Sequence, residues 1–313
     1  ALSRAMDGTG WGTVASGCGV VDVSGQIDFS RSSSGPSTGD TGTDLTFIPF
    51  ARDGVSFAYY QADTSDQAGH PTITSLTRKQ LVDLFTTGAQ TINGTRVVPC
   101  GIQSGSGTYK FWNTVTTAST SAENTSTSEC NGLISNSLSG RSEENNTFQL
   151  KARGDALSAS NVSKKYDQVI IGFSAASFIA KYNGAAPCGN PSDATCAVRS
   201  AVGVGLGSIS DTSSTATPNN VNLGAPLTIT SGVASPNADF FNNSVFGRRV
   251  YFILPTAVLS TPASQYKDVK SLFVGGTSAV CSATTVINKF GFLTTSECGD
   301  TSTYKGSYQS GQS

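Results

Sequence analysis

The sequence predicts an α/β protein, and three observations support this class. Short apolar stretches typical of strands alternate along the chain with segments of helical periodicity. Short loops rich in Gly, Ser and Thr connect them. No repeat of fixed period appears, and 313 residues are enough for two ordinary domains with cores of their own. Alternating strands and helices with short connections favour sheets flanked by helices.

The N-terminal part supplies the first strands. A short strand is predicted around Ile27–Phe29, followed by a Ser-rich turn. Residues 45–60 (LTFIPFARDGVSFAYY) predict an apolar pair of strands, and the pair is expected to break at Asp53-Gly54 because Asp-Gly is a turn dipeptide.

The first helix is predicted from residues 75–85 (SLTRKQLVDLF). Thr77 can cap its N-terminus, and Leu81, Leu84 and Phe85 fall on one face. A strand over residues 95–100 then leads directly into the next loop.

Five further segments complete the α/β pattern. A helix is predicted over 108–115, a buried strand and a helix over 167–184, and a strand-like stretch over 201–209. Residues 246–259 predict a strongly apolar strand, and residues 272–295 a final helix and strand.

Composition and charge exclude several classes of partner. No apolar run approaches the roughly 20 residues of a membrane span, so a soluble mature chain is expected. Lys and Arg number 20 against 21 Asp and Glu, and no basic cluster stands out, so no nucleic-acid partner is expected. Only 13% of the residues are charged, and the abundant hydroxyl and amide side chains favour a secreted protein.

The cysteines also favour an oxidising compartment. Six of the seven form three pairs that are local in sequence, without a C-x-x-C motif. The pairs are Cys100 with Cys130, Cys188 with Cys196, and Cys281 with Cys298. Buried free thiols are the alternative interpretation. Cys18 has no evident partner, and no signal peptide precedes it.

Motifs for catalysis are nearly absent. The sequence has no G-x-S-x-G elbow and no P-loop, and its sole histidine, His70, lies beside a proline in a loop. Metal sites that need several histidines are excluded by the same shortage. The sequence therefore predicts a protein without enzymatic activity, metal or cofactor.

A loop of glycines and hydroxyl side chains occurs three times, at residues 7–12 (DGTGWG), 29–36 (FSRSSSGP) and 103–108 (QSGSGT). Each loop offers backbone N–H groups and hydroxyl donors, and the third leads from a strand into a helix. A helix N-terminus carries unpaired amides and a partial positive charge, so these loops favour an oxyanion ligand.

The order and spacing of these segments resemble a known family. The segments IDFSRSSSGP, LTFIPFARDGVSFAYY, LTRKQLVDLF and VVPCGIQSGSGT resemble the phosphate-binding proteins of ABC transporters, in the type II periplasmic-binding-protein superfamily. The resemblance continues through VIIGFSAASFIAKYNG, RRVYFILPTAVL and CSATTVINKFGF, and secreted actinobacterial members look closest. It covers nearly the whole chain.

The resemblance implies two α/β lobes that are joined by two crossover strands and enclose the ligand in a cleft. Residues 1–57 and 251–301 are then expected in lobe I and residues 58–250 in lobe II. Residues 302–313 are expected to form a disordered tail.

The family's ligand contacts can be transferred position by position to this chain. They fall on Thr9, on Ser33, and on Ser106, Gly107 and Thr108. Arg31 and Ser32, in the same loop as Ser33, are further candidate ligand-binding residues. The ligand implied is inorganic phosphate or a similar oxyanion, held for uptake by an ABC permease.

Three departures from the family pattern leave the ligand open. Ser33 occupies the position of an aspartate that accepts the proton of bound phosphate, and Ile102 the position of an arginine; Arg31 is a candidate to replace that charge. The family's first strand and helix have no counterpart before Ala1. Either that segment is missing from this chain or another chain donates the strand, and Cys18 is then expected to pair within the absent segment.

Two functions follow from these residues. The first is an extracellular solute-binding protein for phosphate or a similar oxyanion. The alternative is a structural subunit of an extracellular assembly that keeps the fold without a ligand and exchanges strands between subunits. A hydrolase of phosphate esters is disfavoured because no base or metal set is evident.

Overall fold

The structure is a computed structural model that describes residues 29–133, 141–142, 146–185, 203–260 and 263–307. It divides the chain into two compact units. Unit 1 comprises Ala1–Arg52, Arg249–Thr285 and Thr294–Ser313, and unit 2 comprises Asp53–Arg248 and Val286–Leu293. Both contain strands and helices, so the predicted mixed α/β class is confirmed.

The described strands are, in chain order, β1 (Ser30–Ser32), β2 (Leu45–Gln61), β3 (Ser75–Thr77), β4 (Gln90–Ile92), β5 (Thr95–Pro99), β6 (Gln168–Ser174), β7 (Gly205–Leu206), β8 (Ser208–Asp211), β9 (Leu227–Thr230), β10 (Val233–Pro236), β11 (Gly247–Pro255) and β12 (Lys305–Gly306). The described helices are α1 (Arg78–Thr87), α2 (Gly107–Thr116), α3 (Thr120–Ser126), α4 (Ser128–Asn131), α5 (Thr147–Ser160), α6 (Ala175–Tyr182), α7 (Ala238–Asn242), α8 (Thr256–Ser260), α9 (Ala263–Phe273), α10 (Ala279–Ser282) and α11 (Thr284–Lys289). A short 3₁₀ turn lies at Val162–Lys164.

Unit 2 is built on a mixed sheet. The part of β2 that begins at Asp53 pairs antiparallel with β6, β6 pairs parallel with β5, and β5 pairs antiparallel with β4. All seven residues of β6 are buried, as expected of a central strand covered on both faces. β3 and β8 form a parallel pair, and β9 and β10 a hairpin, beside this sheet.

Helix α1 begins where the sequence predicts. The Thr77 hydroxyl accepts a hydrogen bond from the Gln80 N–H, and the Gln80 side chain accepts one from the Thr77 N–H, which completes a capping box. Leu81, Leu84 and Phe85 are fully buried on the face that the periodicity assigns to the core. The predicted start and the predicted apolar face of α1 are confirmed.

The predicted break at Asp53-Gly54 is wrong, because β2 is one strand of 17 residues. Gly54 leaves room for aromatic rings, since an added Cβ atom would lie within 3.0 Å of Phe240 and Phe241. The Asp53 carboxylate is buried and paired with Arg248, so the two residues that signal a turn in the sequence are both accommodated inside a strand.

Unit 1 contains the beginning of β2 and most of β11. β1 pairs antiparallel with β11, and β12 pairs antiparallel with β2. Alternation along the strands sends side chains to two small apolar clusters. One contains Leu45, Phe47, Tyr251 and Ile253, and the other contains Ile48, Leu254 and Phe273.

Two predictions for the C-terminal part are wrong. Residues 302–307 do not form a disordered tail, because the strand β12 pairs with β2 and Tyr304 packs on an apolar cluster. Residues 290–295 do not form a strand. Gly291 instead turns the chain with a φ of 79°, where an added Cβ would collide with backbone atoms of Ala176. From Gly291 to Cys298 the chain contains turns, irregular segments and one isolated bridge residue, Leu293.

Some predictions concern residues that the structure describes only in part or not at all. The strand predicted at Ile27–Phe29 is described only from Phe29, and the strand found begins at Ser30. The lobe boundaries that the resemblance implies stay a prediction. Within the described part of the chain, no helix combines the length and the apolar character needed to cross a membrane.

Candidate functional site

The Gly/Ser loop at 103–108 lies between a strand and a helix, as predicted. β5 ends at Pro99, and Cys100, the next residue, forms a disulfide with Cys130 on α4. α2 begins at Gly107 after the N-cap residue Ser106. The disulfide therefore ties the start of this loop to a neighbouring helix.

Ser106 caps its own helix. Its hydroxyl oxygen accepts hydrogen bonds from the N–H of Thr108 at 3.0 Å and of Tyr109 at 3.3 Å. The N–H of Gly107, the first residue of α2, has no acceptor within the helix, because the donors of a first turn point out of it. The cap therefore satisfies two of the backbone amides that the sequence predicts as ligand donors. The amide of Gly107 is left as a donor for a ligand.

A buried arginine lies at this helix end. Arg248, the second residue of β11, donates a hydrogen bond from Nη2 to the Thr108 hydroxyl oxygen at 2.8 Å. The Thr108 residue is 1% exposed and the Arg248 side chain 6% exposed. The Phe111 ring covers the guanidinium, with 5.5 Å between Cζ and the ring centroid. The guanidinium therefore brings N–H donors to the partial positive charge of the helix N-terminus, while the Asp53 carboxylate balances its own charge.

Asp53 holds the guanidinium from the other side. Its Oδ2 atom accepts hydrogen bonds from Arg248 Nε at 3.1 Å and Nη2 at 2.8 Å, and from the Ser174 hydroxyl at 2.9 Å. Its Oδ1 atom accepts one from the Ala176 N–H at 3.0 Å, at the start of α6. The carboxylate thus fixes the arginine and caps a second helix.

One nitrogen of Arg248 has no acceptor. Nη1 is buried, and no described atom accepts a hydrogen bond from it. The guanidinium is a rigid planar fork, in which the two N–H bonds on the Nη1–Nη2 edge run parallel. Because Nη2 uses this edge to reach Thr108, the neighbouring Nη1–H also points toward the N-terminus of α2. A buried unsatisfied charged donor is costly, so this atom marks a position for an acceptor.

The position that the resemblance assigns to an arginine is apolar in this chain. Ile102 is 1% exposed, and its carbonyl accepts a hydrogen bond from Arg141. Arg248 and Asp53 are not among the site residues that the sequence predicts. The usable signal was the charged residues inside two largely apolar strands, Arg52 and Asp53 in β2 and Arg248 and Arg249 in β11, since buried charges occur in pairs.

The other predicted ligand contacts are in unit 1 or lie outside the described residues. Thr9 lies outside the described residues. Arg31 and Ser32 are on β1 of unit 1, and the side chain of Arg31 is exposed. The Ser32 hydroxyl forms a local turn with the backbone of Ser34. The contribution of Arg31, Ser32 and Ser33 to a ligand site stays a prediction.

Arg249 and His70, two other groups that could contribute to a site, have protein partners. Arg249, which follows Arg248, donates to both carboxylate oxygens of Glu297, and this bond holds the pKa of Glu297 below its usual range. His70 is stacked on Tyr166, and its Nδ1 lies 2.9 Å from the Gly94 carbonyl oxygen. No group of three His, Cys, Asp or Glu residues in the described ranges could hold a metal ion.

Two of the three predicted cysteine pairs are disulfides in the structure, Cys100 with Cys130 and Cys281 with Cys298. Cys18, Cys188 and Cys196 lie outside the described residues.

No protein-family model matches the chain, and no curated protein matches it either. Solved structures do resemble it, among them the following two. One, described as a possible phosphate binding protein from Planctomyces limnophilus, has 12% sequence identity and a TM-score of 0.40; the match covers 86% of this chain and 76% of that one. The other, PstS from Borrelia burgdorferi, has 11% identity and a TM-score of 0.35, with 86% and 79% covered. Similarity at this level identifies neither the family nor the ligand of this chain.

Proposed function

We propose that the protein is an extracellular solute-binding protein that holds phosphate or a similar oxyanion at the N-terminus of α2. The observation that carries the proposal is the buried guanidinium of Arg248, whose Nη1 has no acceptor and faces a helix N-terminus. Helix N-termini and arginines are the two commonest ways in which proteins bind oxyanions.

The chemistry of the site supports binding without catalysis. Among the described residues, the groups that we assign to the anion position can each donate a hydrogen bond: the Gly107 amide, the hydroxyls of Ser106 and Thr108, and Nη1 of Arg248. A general base needs a carboxylate oxygen that is free to accept a proton, whereas Asp53, the carboxylate described at this position, is held by four hydrogen bonds. We therefore infer a binding protein and not an enzyme.

An extracellular location is supported by the two disulfides, which persist in oxidising compartments. Uptake through an ABC permease completes this proposal and rests on the sequence resemblance alone. The ligand contacts predicted for Thr9, Arg31, Ser32 and Ser33 belong to the same proposal.

Isothermal titration of the full chain with phosphate, sulfate, arsenate and, as a control, chloride tests the function. We expect saturable binding of at least one tetrahedral oxyanion, at micromolar concentration or below, and none of chloride. Arg248→Gln should abolish it. Arg249→Gln is the matched control, because Arg249 is adjacent in the strand and also paired with a carboxylate, but successive side chains of a strand point to opposite faces. This variant should bind as the wild type does.

Absence of heat with every oxyanion would refute the proposal. Light scattering on the same samples then addresses the structural alternative, because a subunit of an assembly should associate whereas a solute-binding protein should stay monomeric.

A further inference from the structure

We propose that Arg141 is a positioning residue for the anion site, because it holds the loop between β5 and α2 in the conformation that presents the Gly107 amide. Arg141 lies between α4 and α5 in the chain and belongs to unit 2. This inference rests on the proposed function. It assigns Arg141 a role in the shape of the site and no contact with the anion itself.

The guanidinium of Arg141 contacts both the loop and the helix that follows it. Nη1 donates a hydrogen bond to the Ile102 carbonyl oxygen at 2.8 Å. The guanidinium also lies on the ring of Tyr109, in the first turn of α2, with 5.4 Å between Cζ and the ring centroid. One side chain therefore fixes the loop and the start of α2 relative to each other.

The backbone next to this side chain continues the support. Ser142 forms an isolated parallel bridge with Ile102, and its carbonyl oxygen accepts a hydrogen bond from the Gln103 N–H at 2.8 Å. The Gln103 carbonyl oxygen in turn accepts one from the Ser106 N–H at 3.1 Å. A continuous path of hydrogen bonds thus reaches the N-cap residue of α2.

Glu123 fixes the guanidinium and balances its charge. Its Oε1 atom accepts a hydrogen bond from Nη1 of Arg141 at 3.0 Å, and its Oε2 atom accepts one from Nη2 at 2.6 Å. This bidentate pair is buried, with side chains that are 9% and 2% exposed. Because the two charges compensate each other, we expect Arg141 to act on the anion through geometry and not through attraction.

A loop that is ordered in advance lowers the cost of binding an anion. An anion that must itself fix the backbone of one loop residue binds about 5- to 30-fold more weakly, because that residue loses conformational entropy. Substitution of Arg141 releases at least the carbonyl of Ile102. The affinity is therefore expected to fall by a factor in this range, while the ligand contacts themselves remain.

The variant Arg141→Lys tests this role. Lysine keeps a positive charge opposite Glu123, but it is a point donor without the planar fork that serves Glu123 and Ile102 together. Isothermal titration with inorganic phosphate and with sulfate should show binding about 5- to 30-fold weaker than in the wild type. Arg96→Lys is the matched control, because Arg96 also forms a bidentate pair with a glutamate of unit 2, Glu129, and is directed to α4. The control should bind as the wild type does.

Two further measurements separate positioning from a purely structural role. In the free protein, the amides of Gln103 and Ser106 should exchange hydrogen faster in Arg141→Lys than in the wild type, and a saturating anion should slow this exchange again. The double variant Arg141→Met/Glu123→Met leaves no buried charge unpaired, so it should fold as stably as the wild type. It should still lose affinity to the same degree, because Ile102 is released.

The outcomes distinguish this inference from the proposed function. Unchanged affinity in a folded Arg141→Lys or double variant would overturn the inference and leave the proposed function standing. A lowered urea midpoint with unchanged affinity would also overturn it, because Arg141 would then serve stability alone. Absence of binding of both anions by the wild type would refute the proposed function, and this inference with it.

Discussion

Removal of either partner of the Asp53–Arg248 pair should destabilise unit 2, and the two removals should differ. Both side chains are almost completely buried, at 2% and 6% exposed, with 2.8 Å between Nη2 and Oδ2. Breaking a buried ion pair by deleting one partner leaves an uncompensated charge and typically costs about 3–5 kcal/mol. The expected cost for each partner depends on the hydrogen bonds that the other keeps.

Asp53→Ala should reach the upper part of this range, about 4–5 kcal/mol. It leaves Arg248 with the hydrogen bond to Thr108 alone, and it removes the acceptor of the Ala176 amide. Arg248→Met should cost less, about 2–3 kcal/mol, because Asp53 keeps the Ser174 hydroxyl, the Ala176 amide and the N-terminus of α6. The double variant should cost less than the sum, since it leaves no buried charge unpaired.

Urea unfolding followed by tryptophan fluorescence measures these differences. Trp112 is buried in unit 2, and a Trp11→Phe background makes it the only tryptophan, so the signal reports unit 2. Lys79→Gln is the control: its exposed i,i+4 pair with Asp83 should contribute no more than about 0.5 kcal/mol. A cost below about 1 kcal/mol for Asp53→Ala, far under the range for buried pairs, would refute the account of this pair.

Three further predictions concern the rest of the fold. Burial raises the pKa of Tyr251 from 10.0 to about 12, so the folded state keeps a proton that the unfolded state loses. Stability present below pH 10.0 should therefore fall, by at most about 3 kcal/mol, as the pH rises to about 12. Tyr251→Phe should flatten the dependence of the urea midpoint on pH over this window, and equal slopes in both proteins would contradict the assignment. Replacing Cys100 and Cys130 by Ala should destabilise the protein by about 3–4 kcal/mol in urea unfolding, from a loop of 30 residues; an unchanged midpoint would show that the disulfide is dispensable. Gly172→Ala should cost about 1–3 kcal/mol or more and shift the emission of Trp112, because the added Cβ would lie 2.5 Å from the indole; an unaltered spectrum with full stability would contradict this packing.

Local signals in the sequence were sufficient for much of the fold. The N-cap at Thr77 is found where it is predicted, and the helix predicted over 108–115 is found as α2. The caps of both helices involve residues two or three positions apart. The apolar run of β6 predicted a buried strand because period and length agree. The cysteine pairs of the described residues are likewise local in sequence.

Features that depend on contacts distant in sequence could not be predicted in this way. Asp53 and Arg248 are 195 residues apart, and each alone suggests a turn or a surface position. The Asp-Gly signal in β2 is overridden because a guanidinium from β11 neutralises the carboxylate and the rings of α7 pack on the glycine. The strand β12 is polar and becomes ordered by pairing with β2, which composition does not reveal.

The most direct test of the central claim is a crystal structure of the chain with sulfate bound. The proposed function predicts an anion at the N-terminus of α2, with one oxygen within about 2.7–3.2 Å of Arg248 Nη1 and another accepting the Gly107 amide. A bound anion elsewhere, with Nη1 hydrogen-bonded to protein or water alone, would contradict it.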